Sequence, residues 1–313
     1  METAQCPISN SREFTPYIQV PDRFEGIGNT HWNIVCSSVS GLLMLNPRPD
    51  PSEIALHYRG AKYDPFLHAG NTTSWRDRAY IAARALLLSY RAHLILKDIA
   101  KPLQKTTILE IGCSTGELLN FFHSSSGIPL ENIRGVEPDT DAAAYARESF
   151  GLNISPSIDD AGMDGKQFDR IVLWHSLEHI HAINDALLYA EKLLEPDGEI
   201  IIALPNPAGS DARYYRKNWV AYDAPRHLYH FVPETLAKLL ALHRLRVIKK
   251  MPYLPDLLYN TFHSEVLLCE RKNLPFQVKR FFKLFWRISV FAAKGFFSPL
   301  TASSLVYFVK KQG

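Results

Sequence analysis

The sequence has few cysteines, no long apolar run and no recognisable leader, and each absence excludes a class of protein. The four cysteines among 313 residues stand far apart, at Cys6, Cys36, Cys113 and Cys269. This wide spacing favours reduced thiols in a cytosolic protein over a disulfide framework. Residues 1–10 contain neither a basic nor an apolar segment, so no signal peptide is predicted. No stretch reaches about 18 uncharged apolar residues, which argues against a membrane-spanning helix.

Acidic residues are absent from the end of the sequence, where residues 271–313 contain nine Lys or Arg. The rest of the chain holds 26 basic and 32 acidic residues, so the formal net charge of +3 combines an acidic body with a basic tail. Eight of the 17 phenylalanines lie in the same tail. A segment that is both basic and aromatic differs from an ordinary solvated charge run.

Strand-like and helix-like segments alternate between residues 106 and 250, which predicts an α/β fold with a mostly parallel sheet covered on both faces. Short apolar runs predict strands at 107–111, 133–137, 168–173, 199–204 and 245–250, with helices at 116–123, 141–150, 182–194 and 233–242. A longer helix is predicted to begin at Ser74 and to reach about Ala100. A strand at 304–310 would close the sheet.

The densest chemical signal is a strand that runs into a small-residue turn and then into a helix, over residues 108–118. Gly112 and Gly116 permit close approach of a ligand, and the helix start offers free N–H groups. The turn is not the G-x-G-x-x-G of dinucleotide sites, and Glu110 would repel a pyrophosphate. A ligand with an ammonium or sulfonium group suits the turn better. Glu137, at the end of the next strand, can accept hydrogen bonds from both hydroxyls of a ribose.

Three motifs in this order resemble the class I S-adenosylmethionine-dependent methyltransferases. The glycine turn resembles their [DE]-x-G-x-G-x-G loop, although Ser114 replaces the middle glycine. The run from Phe168 to His179 fits F-D-x-[IV]-x-x-x-x-x-[LI]-E-H, and residues 194–198 resemble L-x-P-G-G. The resemblance covers residues 75–250. It implies a doubly wound, Rossmann-like sheet of seven strands with an antiparallel last strand.

The resemblance also implies S-adenosyl-L-methionine as the cofactor and assigns residues to it. The glycine turn would approach the methionyl part, with Glu110 near the amino group and Glu137 at the ribose. Residues 138 and 139 would border the adenine, residue 159 or 160 would contact its amino group, and residues 174 and 175 would lie beside the sulfonium methyl. The complete set is Glu110, Gly112, Cys113, Ser114, Thr115, Gly116, Glu137, Pro138, Asp139, Asp159, Asp160, Trp174 and His175.

An aromatic and histidine-rich segment, residues 219–231, follows the predicted fifth strand and is expected at the ligand-binding face of the sheet. It resembles the W-x-x-x-D-x-P-R-H-L-x-H-F segment of a bacterial methyltransferase subgroup often encoded near glycan or polyketide pathways. His227 is the first candidate for a general base, with His230, His175 and Asp223 as alternatives. In the competing interpretation Arg226 and His227 fix the loop through Asp223 and backbone carbonyls, and positioning supplies most of the rate.

Two further patterns raise the question of a metal, and none is predicted at either. His175, Glu178 and His179 lie close together in the sequence, but Glu178 and His179 are expected to fix the turn. Cys6 and Cys36 each stand at the first position of a C-x-x-C pattern whose second Cys is missing. The methyltransferase subgroup that the chain resembles often carries an N-terminal zinc ribbon followed by G-L-x-x-x-N-P-R-P, and residues 41–49 fit that motif. Two thiolates cannot complete a tetrahedral site, even with His31 as a third ligand, so a metal-free remnant is expected.

The predicted parts are a degenerate zinc-ribbon-like segment (1–50), a helical cover (51–105), the cofactor-binding core (106–250), a helical, basic amphipathic insertion (251–303) and the last core strand (304–313). At 100° per residue, five basic side chains of 278–297 share one helix face and phenylalanines fill the rest. This helix could contact an anionic membrane, cover the acceptor site, form a dimer contact or simply pack. Nucleic acid is the least favoured partner, because no base-reading module accompanies the helix.

The predicted function is direct methyl transfer to a small-molecule, sugar or lipid-linked glycan acceptor, at oxygen. The alternative is a non-catalytic cofactor-binding or scaffolding protein that has kept the fold. A cytoplasmic location is expected, with the basic helix allowing peripheral contact with the inner face of the membrane. The oligomeric state is left open by the sequence.

Overall fold

The computed structural model describes residues 1–23, 31–58, 75–160, 165–274 and 278–312. The chain divides into two compact units. Unit 1 comprises Met1–Tyr63, Leu177–Asn184 and Ala203–Tyr307, and unit 2 comprises Asp64–Ser176, Asp185–Ile202 and Phe308–Gly313.

The strands and helices follow one another along the chain much as the alternation predicts. The strands are β1 (Phe14–Pro21), β2 (His31–Ser37), β3 (Leu43–Leu45), β4 (Ile108–Ile111), β5 (Ile133–Val136), β6 (Ile154–Ser155), β7 (Phe168–Trp174), β8 (Leu194–Pro205), β9 (Tyr229–His230), β10 (Leu245–Pro252) and β11 (Ser304–Lys311). The helices are α1 (Trp75–Leu96), α2 (Glu117–Ser124), α3 (Thr140–Phe150), α4 (Ile183–Leu193), α5 (Ser210–Tyr215), α6 (Pro233–Ala241), α7 (Leu254–Arg271) and α8 (Val278–Phe297).

Seven strands form one sheet in the order β10-β11-β8-β7-β4-β5-β6. β4 pairs in parallel with both β5 and β7, and β5 pairs in parallel with β6. The last strands run antiparallel, which confirms the predicted Rossmann-like fold. The chain order reverses on either side of β4, so the gap between β4 and β7 is the switch point at which open α/β sheets bind ligands.

The central strands are buried on both faces, which explains their continuous apolar runs. β7 also carries a buried arginine, Arg170, whose guanidinium donates to the carbonyls of Ile95 and Lys97 at 2.9 and 3.0 Å. These carbonyls belong to the end of α1, where helical partners run out. α1 therefore ends at Leu96, four residues before the predicted end at Ala100, and the chain turns at Asp98 with a φ of 61°. The predicted start at Ser74 lies outside the described residues.

A second sheet, with the order β1-β2-β3-β9, belongs to unit 1 and was not predicted. Its pairings are antiparallel, and β9 joins β3 with His230 opposite Leu43. Cys6 is buried beside this sheet with its Sγ 3.1 Å from Ser40 Oγ. Cys36 on β2 lies next to the carbonyl of Ser37. Both thiols are therefore in contact with serine groups, and the zinc-ribbon origin of this segment stays a prediction.

Candidate functional site

The glycine turn of unit 2 follows β4 and needs both of its glycines for conformation and for space. Gly112 and Gly116 have φ values of 78° and 75° in the left-handed region. A Cβ on Gly112 would lie 2.5 Å from the Cβ of Ser176, and one on Gly116 would lie 2.6 Å from a methyl of Leu152. Ser114, in place of the family's middle glycine, also adopts a positive φ, at 49°. The substitution therefore keeps the shape of the turn.

Hydrogen bonds to the end of β5 hold this turn in place. The amides of Gly112 and Cys113 donate to the carbonyl of Val136 at 2.8 and 3.1 Å. The amide of Ser114 donates to one carboxylate oxygen of Glu137 at 2.7 Å, and the amide of Asp139 donates to the other at 2.9 Å. Burial raises the pKa of Glu137, and these two amides counteract the shift. Each oxygen keeps a further lone pair, so Glu137 can still accept hydrogen bonds from two hydroxyls.

Glu110, on β4, is a buried carboxyl, only 5% exposed, with one oxygen that has no hydrogen-bond partner among the described residues. Burial raises the pKa of Glu110 to about 8, although the nearby Arg91 guanidinium lowers it. A buried acceptor without a donor is costly. The protein therefore presents a group that fits the ammonium of a bound cofactor. Arg91 lies on α1 and was not predicted from the sequence, because no motif around it indicates a role at this site.

The remaining residues of the predicted cofactor set differ in what their side chains do. The thiol of Cys113 packs into the core, since a Cβ on Gly135 would lie 2.6 Å from its sulfur, and burial raises its pKa. Cys113 can therefore meet a ligand only through its backbone. Asp139 caps α3 by accepting from the amides of residues 141 and 142. Ser114, Pro138, Asp159 and Asp160 are exposed, while Thr115 is buried.

Trp174 and His175 mark the point where β7 ends. Trp174 is 7% exposed, and the guanidinium of Arg91 lies 5.1 Å from its ring centre. His175 has a φ of 53°, so the chain turns sharply there and the partly exposed imidazole leaves the strand direction. The next residue, Ser176, donates to the carbonyl of Ile111 at 2.6 Å. The end of β7 is thereby tied to the end of β4.

In unit 1 the structure brings together a cluster of histidines that the sequence separates. The rings of His179 and His227 stand edge to face with centres 4.6 Å apart, and the ring of His230 lies 6.2 Å from that of His227. The amide of Leu228 donates to the carbonyl of Glu178 at 2.9 Å, which joins the two segments.

Hydrogen bonds to carbonyls indicate which ring nitrogen of His227 and of His179 carries the proton. Nδ1 of His227 lies 2.9 Å from the carbonyl of Ala221, and Nδ1 of His179 lies 2.9 Å from the carbonyl of Arg226. A carbonyl only accepts, so both Nδ1 atoms carry hydrogen and Nε2 keeps the lone pair in the neutral form. Burial lowers the pKa of His227 to about 4 and that of His230 to about 3. The rings of His227 and His230 are therefore neutral at neutral pH.

Asp223 and Arg226 form a buried ion pair rather than a pair of free functional groups. Nε and Nη2 of Arg226 donate to the two carboxylate oxygens of Asp223 at 3.1 and 2.9 Å. Burial would raise the pKa of Asp223, but Arg226 overcomes this effect and lowers it to about 2. Arg226 also donates to the carbonyl of His57. These contacts fix the loop that carries His227, and they make Asp223 the weakest of the four catalytic candidates.

Comparison with known proteins identifies the family. A methyltransferase-domain family model matches residues 75–250. No curated protein is significantly similar to the chain. Similar solved structures include a cyclopropane synthase of Mycobacterium tuberculosis, at 17% identity over 71% of this chain and 84% of that one, with a TM-score of 0.46. An O-methyltransferase from a trans-AT polyketide synthase of Brevibacillus brevis, in complex with S-adenosyl-L-homocysteine, has 17% identity, with coverages of 75% and 76% and a TM-score of 0.47.

The family match spans more than half of the chain, and it includes the strands that carry the glycine turn, Glu110 and Glu137. Three motifs read from the sequence fall inside the same range. The chain therefore belongs to the methyltransferases that use S-adenosylmethionine as the methyl donor.

Proposed function

We propose that the protein transfers a methyl group from S-adenosylmethionine to a hydroxyl oxygen of a small-molecule, sugar or lipid-linked acceptor. The observation that carries the proposal is the buried Glu110, whose unsatisfied oxygen calls for a cationic donor beside the glycine turn. The bound cofactor supplies an electrophilic methyl group on a sulfonium. The protein's own residues hold this molecule and prepare the acceptor.

In this proposal, different residues bind different parts of the cofactor. Glu110 accepts from the amino group, Glu137 accepts from the two ribose hydroxyls, and the backbone of residues 112–116 follows the methionyl part. Pro138 and Asp139 border the adenine. Asp159 or Asp160, exposed after β6, contacts the adenine amino group. Trp174 and His175 lie on the side of the methyl.

On the acceptor side, His227 is the proposed site of deprotonation, since its Nε2 keeps a lone pair and its orientation is fixed by Ala221. The acceptor oxygen gives up its proton there, and its electron pair forms the bond to the methyl carbon. The electron pair of the broken C–S bond remains on sulfur. His230 and His175 are the remaining alternatives. Oxygen is favoured because a hydroxyl is a weak nucleophile until its proton is removed, and a neutral imidazole can take that proton.

Replacing Glu137 by Gln should weaken cofactor binding by about 10- to 100-fold, the usual worth of a hydrogen bond to a charged group. The amide nitrogen of Gln can accept neither from Ser114 nor from a ribose hydroxyl. Titration calorimetry with S-adenosylmethionine measures the change, with exposed Glu131→Gln as the matched control. An unchanged dissociation constant for Glu137→Gln would remove the ribose assignment.

Binding of the cofactor should release about one proton at pH 6.5. A carboxyl with a pKa of about 8 is protonated at that pH, and an incoming ammonium group favours its ionised form. Affinity should therefore rise with pH until about pH 8. Calorimetry in two buffers of different ionisation enthalpy counts the proton. Glu110→Gln should abolish its release, and an equal release from that variant would mean that another group titrates.

His227→Ala should slow turnover by about 100-fold or more while leaving cofactor affinity unchanged, since loss of general acid–base help costs that much. Formation of S-adenosylhomocysteine against a panel of phenols, sugars and polyprenyl-linked sugars provides the assay. His243→Ala is the control, because that imidazole bonds to Asn184 in α4. Full activity of His227→Ala would leave this residue only the task of fixing the loop. Cofactor binding without turnover on any acceptor would favour the non-catalytic alternative.

Helix α8 supports a second part of the proposal, peripheral contact with an anionic membrane. None of the helices in the described ranges has the length and apolar character needed to span a bilayer. Yet aromatic side chains of α8 are 54–84% exposed, namely Phe281, Phe282, Phe285, Trp286, Phe296 and Phe297. Apolar surface of this extent marks an interaction site.

The basic residues of α8 have two different roles, which the helical wheel alone did not distinguish. Arg280 and Arg287 face α7, where they bind the fully buried carboxylate of Glu265 at 3.0 and 2.6 Å. Lys283 and Lys294 are exposed, and the side chain of Lys279 lies outside the described residues. We propose that the aromatic side chains enter the interface of an anionic bilayer and that the exposed lysines bind its headgroups.

Phe282→Ser combined with Trp286→Ser should abolish binding to phosphatidylglycerol vesicles, as measured by flotation. Lys283→Glu with Lys294→Glu should weaken binding to these vesicles and remove its sensitivity to salt. Leu188→Ser, at an apolar side chain of α4 that is 41% exposed, is the control. If the native protein fails to float with the vesicles, the membrane proposal is wrong. A loss of dimer in the serine variant would assign the surface to self-association instead.

A further inference from the structure

Three side chains of unit 1 bring ligand atoms into one small volume. One potential ligand atom from each of Glu178, His179 and His227 lies within 4.8 Å of the other two. Nε2 of His227 is 4.0 Å from an oxygen of Glu178. Elsewhere in the described part of the chain, no three side chains of His, Cys, Asp or Glu converge in this way.

Both imidazoles have an Nδ1 contact to a backbone carbonyl of the kind that metal-binding histidines usually make. A histidine that binds a metal through one nitrogen usually donates its other N–H to a carbonyl or carboxylate, which fixes the ring and its tautomer. Nδ1 of His227 donates to Ala221, and Nδ1 of His179 donates to Arg226. The oxygen of Tyr58 also lies 2.9 Å from Nδ1 of His179. Nε2 of each ring is thus left with its lone pair.

The backbone around the cluster is fixed independently of any ligand. Arg226, whose carbonyl orients His179, is itself anchored by its two hydrogen bonds to Asp223. The hydrogen bond from Leu228 to the carbonyl of Glu178 links the two ligand-bearing segments. Glu178 is 1% exposed and His227 is 9% exposed. Because the backbone is fixed and these two side chains are buried, only the side chains need to move closer together when an ion binds.

We propose that Glu178, His179 and His227 bind one divalent transition-metal ion. Two imidazole nitrogens and one carboxylate oxygen are the ligands of catalytic zinc and of related first-row metals, and three protein ligands leave coordination positions open. From the sequence we predicted no metal, because Glu178 and His179, next to His175, were expected to fix the turn. The structure replaces His175 with His227, which is distant along the chain.

The role of the ion in methyl transfer rests on the proposed function, whereas the binding of the ion does not. With an ion bound, the lone pair of His227 would be occupied, and an acceptor hydroxyl held by the ion would be acidified and would lose its proton to solvent water. His227 would then act through the ion instead of taking the proton itself. The loss of turnover expected for His227→Ala is common to both arrangements, so a test of the inference must measure the metal.

The test uses untagged protein treated with a chelator and then titrated with Zn²⁺ and with Co²⁺. Calorimetry should give one Zn²⁺ per chain, and Co²⁺ should produce visible absorption bands typical of a low-coordinate site with nitrogen ligands. His179→Gln and His227→Gln should each weaken Zn²⁺ binding by at least about 100-fold. Glu178→Gln, which keeps the shape of a buried side chain, should weaken it as well. His243→Gln should leave it unchanged.

Each variant is checked by its affinity for S-adenosylmethionine, which should equal that of the native chain if the fold is intact. Failure to bind stoichiometric Zn²⁺ or Co²⁺ at micromolar concentrations would overturn the inference. Binding that survives in both the His179 and the His227 variants would also overturn it, because the ion would then lie elsewhere. Neither result would affect the proposed methyl transfer, which is measured separately by cofactor consumption.

Discussion

The hydrogen bonds between the glycine turn and the end of β5 determine the geometry of the cofactor site. The carbonyl of Val136 accepts from two successive amides of the turn, and the carboxylate of Glu137 accepts from a third. On the other side of β4, Ser176 binds the carbonyl of Ile111 and fills the space beside Gly112. Three strand ends are thus tied together at the switch point of the sheet. The position of Glu110 follows from this arrangement, because it precedes the turn by two residues on β4.

The sequence predicted the central sheet well because its strands are buried on both faces and therefore read as continuous apolar runs. The small sheet of unit 1 escaped prediction, since its strands are short or half-exposed and lie in a turn-rich segment. Local motifs supplied the proposed cofactor residues. They could not show that the side chain of Cys113 faces the core or that Asp139 caps a helix, because both facts depend on neighbouring elements.

Contacts between distant segments were beyond the reach of sequence patterns. The meeting of Tyr58, His179 and His227 depends on how three separate parts of the chain pack, and no spacing indicates it. The same limit applies to α8. A helical wheel groups Arg280 with Arg287, but only the packing against α7 shows that both neutralise the buried Glu265. That ion pair holds the helix by its polar side and leaves its aromatic side exposed.

The two carboxylates of the cofactor site have a consequence for the catalytic cycle. In the proposed assignment, Glu110 binds an amino group and Glu137 binds a ribose, and neither part of the cofactor changes when the methyl group leaves. These contacts hold the demethylated by-product by the same hydrogen bonds as the donor. The two molecules differ only at sulfur, in the missing methyl group and the lost positive charge. Sustained turnover of this enzyme would then depend on removal of the spent cofactor by a separate reaction that consumes it.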